Sequence, residues 1–395
     1  MKEINISVIG LGTVGSSVIS SIENINKNFK NKNNTLINII GISAKNKNKS
    51  RSIDISKYKW VDDPIELTKN NNCHVIIELI GQEKGLSYEI IKSSLQNKIN
   101  VITANKALLA NFGNELFQIA EKNDVNIFYE AAVAGGIPII NILKNSIFLN
   151  KIKNISGILN GTTNFILTEM EKNNLTFEES LQLATEKGYA EADPTNDITG
   201  KDSAYKITLL ASLCYGIKIN NNFSFFSGIK DIYKEDIKYS KKLGYRIKLI
   251  SEASLINGEI FIETSPKLVN LNNPLAQVES VLNAINIQTD HLRSLFIEGE
   301  GAGGLATASS VIADIYEIVK YRKSNINNYF LFTNSEVKCY PKDNLKRPYY
   351  IRLLVKDEPG VLSKMTSIMT KKNISIQTIL QFTEEKINNK VPIIL

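Results

Sequence analysis

Apolar runs alternate with amphipathic stretches along the first third of the chain. The run at 4–9 leads into a glycine-rich turn, and apolar positions at helical spacing follow from Val14 onward. Further apolar runs lie at 37–43, 74–81, 100–104 and 125–133. Runs at this spacing are typical of strand–helix–strand units, so the pattern predicts an α/β domain with a doubly wound parallel sheet over residues 1–135.

The first turn of this domain carries a GxGxxG pattern between a strand and a helix. In a Rossmann fold the first glycine permits the tight turn, the second lets a pyrophosphate approach the backbone, and the third lets helix and strand pack closely. The helix N-terminus attracts the anion. We therefore predict a dinucleotide site at Gly10, Gly12, Thr13, Val14 and Gly15, against the alternative of a glycine-rich turn without a ligand.

The end of the second predicted strand bears on the choice of cofactor. An NAD-preferring site places an Asp or Glu there, on the ribose hydroxyl, but this chain has no acidic residue between the end of that strand and Asp54. A basic run begins at Lys45 instead. Because cations suit a 2′-phosphate, the pattern favours NADP as the cofactor, with NAD as the alternative.

Two lysines occupy positions that a purely structural role explains poorly. Lys106 begins a helix after Asn105, where a cation opposes the helix dipole. Lys206 lies on a predicted helix from about 200 to 215, four residues after Asp202 and on the same face as an apolar stripe. An exposed ion pair belongs on a polar face of a helix, and this helix has scarcely any polar face. Both lysines are therefore candidate site residues.

The stretch "GYAEADPTNDITGKDSAYK", at 188–206, gathers charges between two predicted helices. The helix before it has both ends marked, since Thr176 and Glu179 form a capping box and Gly188 suits a left-handed C-cap. A lysine among carboxylates and an apolar wall can donate or accept a proton. The stretch therefore predicts a site and not a solvated surface.

The amino-acid composition argues against several other kinds of site and partner. With 395 residues, 43% of them hydrophobic, the chain is long enough for two or three globular domains. Two histidines and three scattered cysteines argue against a histidine metal cluster, a Ser/His/Asp triad and a disulfide frame. The excess of 47 basic over 40 acidic residues is scattered, so we expect no nucleic-acid partner. No apolar run suits a membrane span or a signal peptide, so we expect a cytoplasmic protein without a membrane partner.

The last part of the chain changes character twice. Residues 321–347 are polar and predict a linker. Residues 348–395 predict a βαββ tail, with a strand at 374–380, that resembles the first half of an ACT module. Its "DEPGVL" turn puts backbone N–H groups at a helix start, which suits an amino-acid carboxylate, although a simple packing appendage is the alternative. Because half a module is too small to fold alone, we expect it to pack on the main body or a second copy.

Six stretches occur in the order in which they are found in homoserine dehydrogenases, and the resemblance covers residues 4 to 320. The stretches are "GLGTVG", "NKALLA", "EAAVAGGIPII", "GILNGTTNFIL", "GYAEADPTNDITGKDSAYK" and "GEGAGGLATASSV". The resemblance implies reversible, NAD(P)-linked conversion of L-aspartate 4-semialdehyde to L-homoserine, on the route to threonine and methionine, by a homodimer or homotetramer. Because the ACT module is shortened, we expect feedback inhibition by threonine to be weak or lost. The resemblance also implies an α+β catalytic and dimerisation domain at 136–320, whose last helix can return to the Rossmann domain.

Carried over position by position, the resemblance also implies roles for single residues. Lys206 would be the general acid, and Lys106 a second lysine at the reacting centre and beside the cofactor. Glu191 and Asp202 would hold the substrate's ammonium group. Gly188 would line the substrate and Gly303 the cofactor. A monovalent cation, expected to be sodium, would be bound largely by backbone carbonyl groups at Glu130, Val133, Gly135 and Ile137.

Two other classes of protein stay open from the sequence. One is a different NAD(P) oxidoreductase on a similar frame, and the other is a non-catalytic amino-acid sensor built from a Rossmann domain and an ACT module. The presence of both lysines and both carboxylates favours the enzyme.

Overall fold

The first part of the chain alternates strands with helices in the computed structural model, which describes residues 2–29, 35–321, 337–381 and 390–395. Its strands are β1 (Lys2–Ile9), β2 (Thr35–Ser43), β3 (Val75–Glu78), β4 (Asn100–Thr103) and β5 (Ile127–Phe128). Its helices are α1 (Thr13–Phe29), α2 (Pro64–Leu67), α3 (Leu86–Gln96) and α4 (Lys106–Lys122). All strand pairs are parallel, in the order β2-β1-β3-β4-β5, which confirms the predicted doubly wound sheet.

The fifth strand is shorter than the apolar run at 125–133 predicts. Only Ile127 and Phe128 pair with β4, and a short 3₁₀ helix begins at Glu130. The Glu130 carboxylate accepts hydrogen bonds from the backbone N–H groups of Ile140 at 2.7 Å and Asn141 at 2.8 Å. These bonds fold the chain back on itself and withdraw it from the sheet, so the predicted strand is wrong beyond Phe128.

The middle of the chain forms a mixed sheet with helices packed against it. Its strands are β6 (Ile152–Ile158), β7 (Ser224–Phe226), β8 (Tyr245–Ile256), β9 (Glu259–Asn270), β10 (Leu282–Thr289) and β11 (Leu295–Glu300). Its helices are α5 (Ile139–Asn141), α6 (Gly161–Lys172), α7 (Phe177–Glu186), α8 (Thr195–Ile198), α9 (Lys201–Tyr215), α10 (Lys234–Lys242), α11 (Pro274–Gln277) and α12 (Gly304–Tyr321). The described strands run in the order β11-β10-β6-β8-β9-β7, as an α+β domain requires.

The two sheets share their hydrophobic packing. Leu109 of α4, Leu209 of α9 and Ile262 of β9 belong to one buried cluster, so α4 and α9 meet where the first sheet and its helices join the second. Helix α12 returns to the first sheet, where Val311 packs with Val18 of α1. Burial of one such side chain is worth about 1.5–3 kcal/mol, so this shared core fixes the relative position of the site residues that the two helices carry.

The C-terminal residues form a small antiparallel sheet. Its elements are β12 (Arg352–Lys356), α13 (Val361–Lys371), β13 (Leu380–Gln381) and β14 (Lys390–Ile394), with the sheet order β12-β14-β13. This arrangement confirms the predicted ACT-like tail. The strand predicted at 374–380 is wrong in its extent, because β14 offers partners only to Leu380 and Gln381.

Residues 337–347 lie against the second sheet. The Ile260 N–H donates to the carbonyl oxygen of Lys338, and the Tyr340 N–H donates to that of Ile260, both at 2.8 Å. The fully buried Glu263 carboxylate accepts from Arg347 at 2.7 Å and from Lys342 at 3.0 Å. This part of the predicted linker is therefore attached to β9, and its residues 322–336 lie outside the described residues. None of the described helices is both long and apolar enough to cross a membrane.

Candidate active site

Two lysines from different halves of the protein share one carboxylate. The Lys206 Nζ lies 2.7 Å from Oδ2 of Asp202, one turn earlier on α9. The Lys106 Nζ, at the start of α4, lies 3.1 Å from Oδ1 of the same residue. Asp202 and Lys206 are buried, whereas the side chain of Lys106 is 37% exposed. The structure thus brings together three of the residues that the sequence predicts for the site.

The charges of this cluster stabilise one another. Burial alone would raise the pKa of the Asp202 carboxyl, but the ammonium groups of Lys206 and Lys106 hold that pKa below its usual range. The Asp202 charge in turn raises the pKa of Lys106. At neutral pH the carboxylate is therefore ionised and Lys106 is protonated.

Asn160 joins the cluster from α6. Its Oδ1 accepts from the Thr163 N–H at 2.8 Å and so caps the helix, while its Nδ2 donates to Asp202 at 3.0 Å and to Asp197 at 2.7 Å. Burial and the neighbouring Asp202 charge raise the pKa of Asp197. The Asn160 amide therefore holds two carboxylates side by side, although they repel one another.

The Lys206 ammonium group has a fixed direction. Besides Asp202, its Nζ donates to the carbonyl oxygen of Leu159 at 2.7 Å. An ammonium group has three N–H donors, and among the described residues these two acceptors account for two of them. One N–H is therefore left for a group that enters the site.

The turn between α7 and α8 carries the other predicted substrate residues. Gly188 has a φ of +74° and follows the end of α7, as its predicted C-cap position requires. The Thr162 hydroxyl donates to the carbonyl oxygen of Tyr189 at 2.7 Å, which ties this turn to the start of α6. Glu191 is exposed in the same turn, and its charge contributes to the raised pKa of Lys106. The charge of this turn is thus felt at Lys106.

The glycine-rich turn fits a dinucleotide. Gly10 has a φ of +97°, and a side chain there would meet the backbone of Leu79 at 2.5 Å. A side chain at Gly15 would meet the Gly10 carbonyl oxygen at 1.9 Å, whereas at Gly12 nothing lies within 4 Å. The outer glycines therefore serve tight packing, and the open middle position suits an approaching pyrophosphate. Thr13 begins α1 directly behind the turn.

The chain before α12 approaches the same turn. Gly303 has a φ of +113°, and a side chain at Gly304 would meet the Ser17 Oγ at 2.5 Å. The stretch that contains Gly303 thus lies next to the first turns of α1, where the resemblance predicts a cofactor contact.

The basic loop after β2 contains a residue that sequence reasoning missed. Lys45 is exposed on this loop, but Arg51 carries more of its structure. The Arg51 guanidinium donates to the Leu11 carbonyl oxygen of the glycine-rich turn at 3.2 Å and to three carbonyl groups of its own loop. It also lies 5.8 Å from the centre of the Trp60 ring. Arg51 therefore fastens the basic loop to the dinucleotide turn.

The residues predicted to bind a cation lie in one tight segment. Ala134 and Gly135 have φ values of +55° and +51°, which turn their carbonyl groups sharply. The Gly135 carbonyl oxygen accepts from the Ser310 hydroxyl at 2.6 Å. The Glu130 carboxylate is engaged by two backbone N–H groups, and burial raises its pKa to about 7. Oxygen atoms of this kind suit a hard cation such as sodium, and the backbone carbonyl groups are the ligands that the segment offers.

Some site residues escaped the sequence reasoning although their signals were present. Asn160 stands before "GTTN", a pattern typical of a helix N-cap, and Asp197 lies inside the charged stretch itself. Arg51 belongs to the basic run that begins at Lys45. In each case the sequence pattern is local, but the hydrogen-bond partner that places the residue in the site lies 37 or more positions away along the chain.

Three family models match the chain. The model described as "Homoserine dehydrogenase" matches residues 138–316, and "Homoserine dehydrogenase, NAD binding domain" matches residues 10–130. The model described as "ACT domain" matches residues 349–394. The matches follow the order of the three sheets.

Curated relatives and solved structures agree with these models. The homoserine dehydrogenase of Neisseria gonorrhoeae is 37% identical over 96% of this chain and 88% of its own length. That of Bacillus subtilis is 34% identical over the same shares. The crystal structure of a homoserine dehydrogenase from Thiobacillus denitrificans is 32% identical, with a TM-score of 0.88 over all of this chain and 91% of that one. A hyperthermophilic archaeal homoserine dehydrogenase in complex with NADPH is 27% identical, with a TM-score of 0.68 over 80% of this chain and 98% of that one.

Proposed function

The chain belongs to the homoserine dehydrogenase family, and we propose that it reduces L-aspartate 4-semialdehyde reversibly to L-homoserine with NADP as its preferred cofactor. It is an oxidoreductase with an NAD-binding domain and a homoserine dehydrogenase domain. The observation that carries the proposal is the pair of lysines on Asp202, 3.1 Å and 2.7 Å away, at the junction of the two domains.

Lys206 is the proton donor in this proposal. A bound nicotinamide supplies the hydride that adds to the aldehyde carbon. Negative charge then develops on the aldehyde oxygen, and the remaining N–H of Lys206 is available to stabilise it and to transfer a proton. In the reverse direction the lysine accepts the proton of the homoserine hydroxyl. Lys106, held at the start of α4 by Asp202, provides a second cation at the reacting centre.

Carboxylates hold the amino end of the substrate. Glu191 is exposed on the turn that also contains Gly188, so it is free to meet an ammonium group that enters from solvent. Asp202 contributes negative charge deeper in the site, where it already balances two lysines. The turn at Gly188, whose α-carbon faces open space, lines the substrate.

The glycine-rich turn would hold the cofactor, and Gly303, on the stretch that approaches the start of α1, would line it. We propose NADP and not NAD, because the loop that meets the ribose carries Lys45 and no acidic residue. The NADPH complex of the archaeal relative agrees with this choice. A monovalent cation, expected to be sodium, would be held by carbonyl groups of the segment that contains Glu130, Val133, Gly135 and Ile137.

The proposal extends to the setting of the enzyme. The product, L-homoserine, serves threonine and methionine synthesis, and the enzyme works in the cytoplasm as a homodimer or homotetramer. Size-exclusion chromatography with light scattering tests the assembly, and a monomer at working concentration would contradict it.

An assay with NADPH and L-aspartate 4-semialdehyde tests the reaction. We expect NADPH to be consumed and homoserine to form in equal amounts, since one hydride is transferred in each turnover. Other short aldehydes serve as controls for a different NAD(P) oxidoreductase. Absence of turnover, with retained binding of an amino acid, would favour a sensor instead.

A further inference from the structure

A buried carboxylate at the end of β3 lies outside the residues described so far. Glu78 is fully buried, and none of the described lysines or arginines pairs with it. Its Oε1 accepts from the Ile80 N–H at 2.9 Å, the Gly81 N–H at 3.3 Å and the Ser87 hydroxyl at 2.8 Å. Its Oε2 accepts from the Thr103 hydroxyl at 2.7 Å. Burying a carboxylate is costly, so such a complete set of donors indicates a specific task.

The Oε2 side of this network leads to Lys106. The Thr103 hydroxyl, at the end of β4, accepts from the Asn105 N–H at 3.0 Å. The Asn105 side chain caps α4 through the Leu108 N–H at 3.1 Å and donates to the Gln82 carbonyl oxygen at 2.7 Å. The residue after this cap is Lys106. The direction in which α4 begins, and hence the reach of Lys106, depends on Thr103 and Asn105.

We propose that Glu78 is a positioning residue, which acts through Thr103 and Asn105 to place the Lys106 ammonium group at the reacting centre. The inference rests on the proposed role of Lys106 in the reaction. Glu78 itself does not touch the substrate, because it lies under the ends of β3 and β4. Its effect on catalysis is carried by the start of α4.

To hold Thr103 in this way, the side chain at position 78 must only accept hydrogen bonds. The Thr103 hydroxyl already accepts from a backbone N–H, and its own proton is directed to Glu78. An amide at position 78 would bring an N–H₂ group toward one of its oxygen positions. The backbone N–H groups of Ile80 and Gly81 can only donate, so the amide oxygen must remain on their side. The N–H₂ group then faces Thr103 and disturbs the tether of Asn105.

The Oε1 side of Glu78 supports a different part of the site. The loop that it holds packs against the glycine-rich turn, where a side chain at Gly10 would meet Leu79 and Ile80 at 2.5 Å and 2.8 Å. Because Glu78→Gln keeps the oxygen on this side, the dinucleotide turn stays in place. The substitution therefore separates the position of Lys106 from cofactor binding.

Steady-state kinetics of the full-length enzyme test the inference. Glu78→Gln is expected to lower kcat by about tenfold or more, since a 1 Å misplacement can cost ~10²-fold, with a smaller change in KM for NADPH. If Glu78→Gln fails to fold, Thr103→Val and Thr103→Ser replace it. The valine removes the hydroxyl and should lower kcat, whereas the serine keeps it and should restore most of the activity. Ile76→Val, a buried change on the same strand, is the control for lost stability alone.

The Lys106→Met background separates positioning from general damage. In that background, Glu78→Gln or Thr103→Val is expected to change kcat by no more than about twofold from the value of Lys106→Met alone, because the group to be positioned is already absent. An equal loss in both backgrounds would overturn the inference and leave the proposed function intact. Wild-type turnover of Lys106→Met alone would instead overturn the proposed role of Lys106, and the inference with it.

Discussion

Lys106 and Asp202 are 96 positions apart in the sequence and 3.1 Å apart in space, and each belongs to a different half of the protein. One half is the NAD-binding domain, and the other carries Lys206, the proposed proton donor. The ion pair therefore forms only when α4 and α9 are packed together, so the site depends on the shared core as much as on its charged residues.

Substitution of Lys206 tests the proton donor. We expect Lys206→Ala to lower kcat by at least ~10²-fold, since general acid–base catalysis contributes 10²–10⁴-fold, and to leave the affinity for NADPH almost unchanged. Stopped-flow binding and steady-state turnover measure the two quantities. Lys218→Ala, an exposed lysine beyond α9, is the control. Near-normal turnover of Lys206→Ala would exclude this lysine as the general acid.

The two carboxylates should behave differently when neutralised. Asp202→Asn is expected to raise the KM for homoserine and also to lower kcat, because Asp202 pairs with both lysines and a buried charge without its partner is strongly destabilising. Glu191→Gln should raise KM with a smaller effect on kcat, because Glu191 lies on an exposed turn. Homoserine oxidation at saturating NADP measures KM and kcat for each variant. An unchanged KM in Asp202→Asn would contradict its role in ammonium binding.

Cofactor preference should depend on the basic loop. The wild-type enzyme is expected to have a higher kcat/KM with NADPH than with NADH. Lys45→Ala should reduce that ratio by about tenfold, because a charge-assisted hydrogen bond to phosphate is worth roughly 1.5–3 kcal/mol. Arg51→Ala should weaken both cofactors, since Arg51 fastens the loop to the Leu11 carbonyl group. A wild-type ratio near one, or in favour of NADH, would refute the preference.

The contribution of Glu263 and its ion pairs to thermal stability should depend on pH. Burial opposes its ionisation, but Arg347, Lys267 and Lys342 outweigh burial and lower its pKa to about 2, from an ordinary value of about 4.3. A depressed pKa stabilises the folded state fully above the ordinary value and loses this effect as the pH falls toward 2. Thermal melts should therefore show a large loss of Tm for Glu263→Gln at pH 7 that shrinks from about pH 5 downward.

Glu259→Gln, a change on the same strand, is the matched control for this measurement and should show no such trend. A loss of Tm in Glu263→Gln that is constant between pH 7 and pH 3 would contradict the assignment of the effect to ionised Glu263.

The parts of the fold that local rules govern could be predicted from the sequence. The GxGxxG turn combines a strand end, a backbone conformation and a helix start within a few residues. The capping box of Thr176 and Glu179 is present as predicted, for the same reason. The early end of β5 could not be predicted, because it depends on hydrogen bonds that the Glu130 carboxylate accepts from backbone N–H groups ten and eleven positions later.

The candidate site also has one part that local spacing predicts and another part that it does not. The pairing of Asp202 with Lys206 follows from helical spacing, and both residues are buried as the apolar stripe predicts. The contact of Asn160 with Asp202 spans 42 positions, and the network of Glu78 joins the ends of two strands. Such contacts are set by tertiary packing, so residue type alone gave no reason to single out Asn160 or Glu78.

The pairing of residues 338–340 with Ile260 has a consequence for solubility. Without it, the backbone groups of Ile260 would stand at an open sheet edge, beside the apolar and β-prone residues Phe261 and Ile262. Exposed edges of this composition recruit strands from other molecules and start aggregation. By filling that position, the segment after α12 keeps β9, which packs against α9, from pairing with strands of other molecules in a crowded cell.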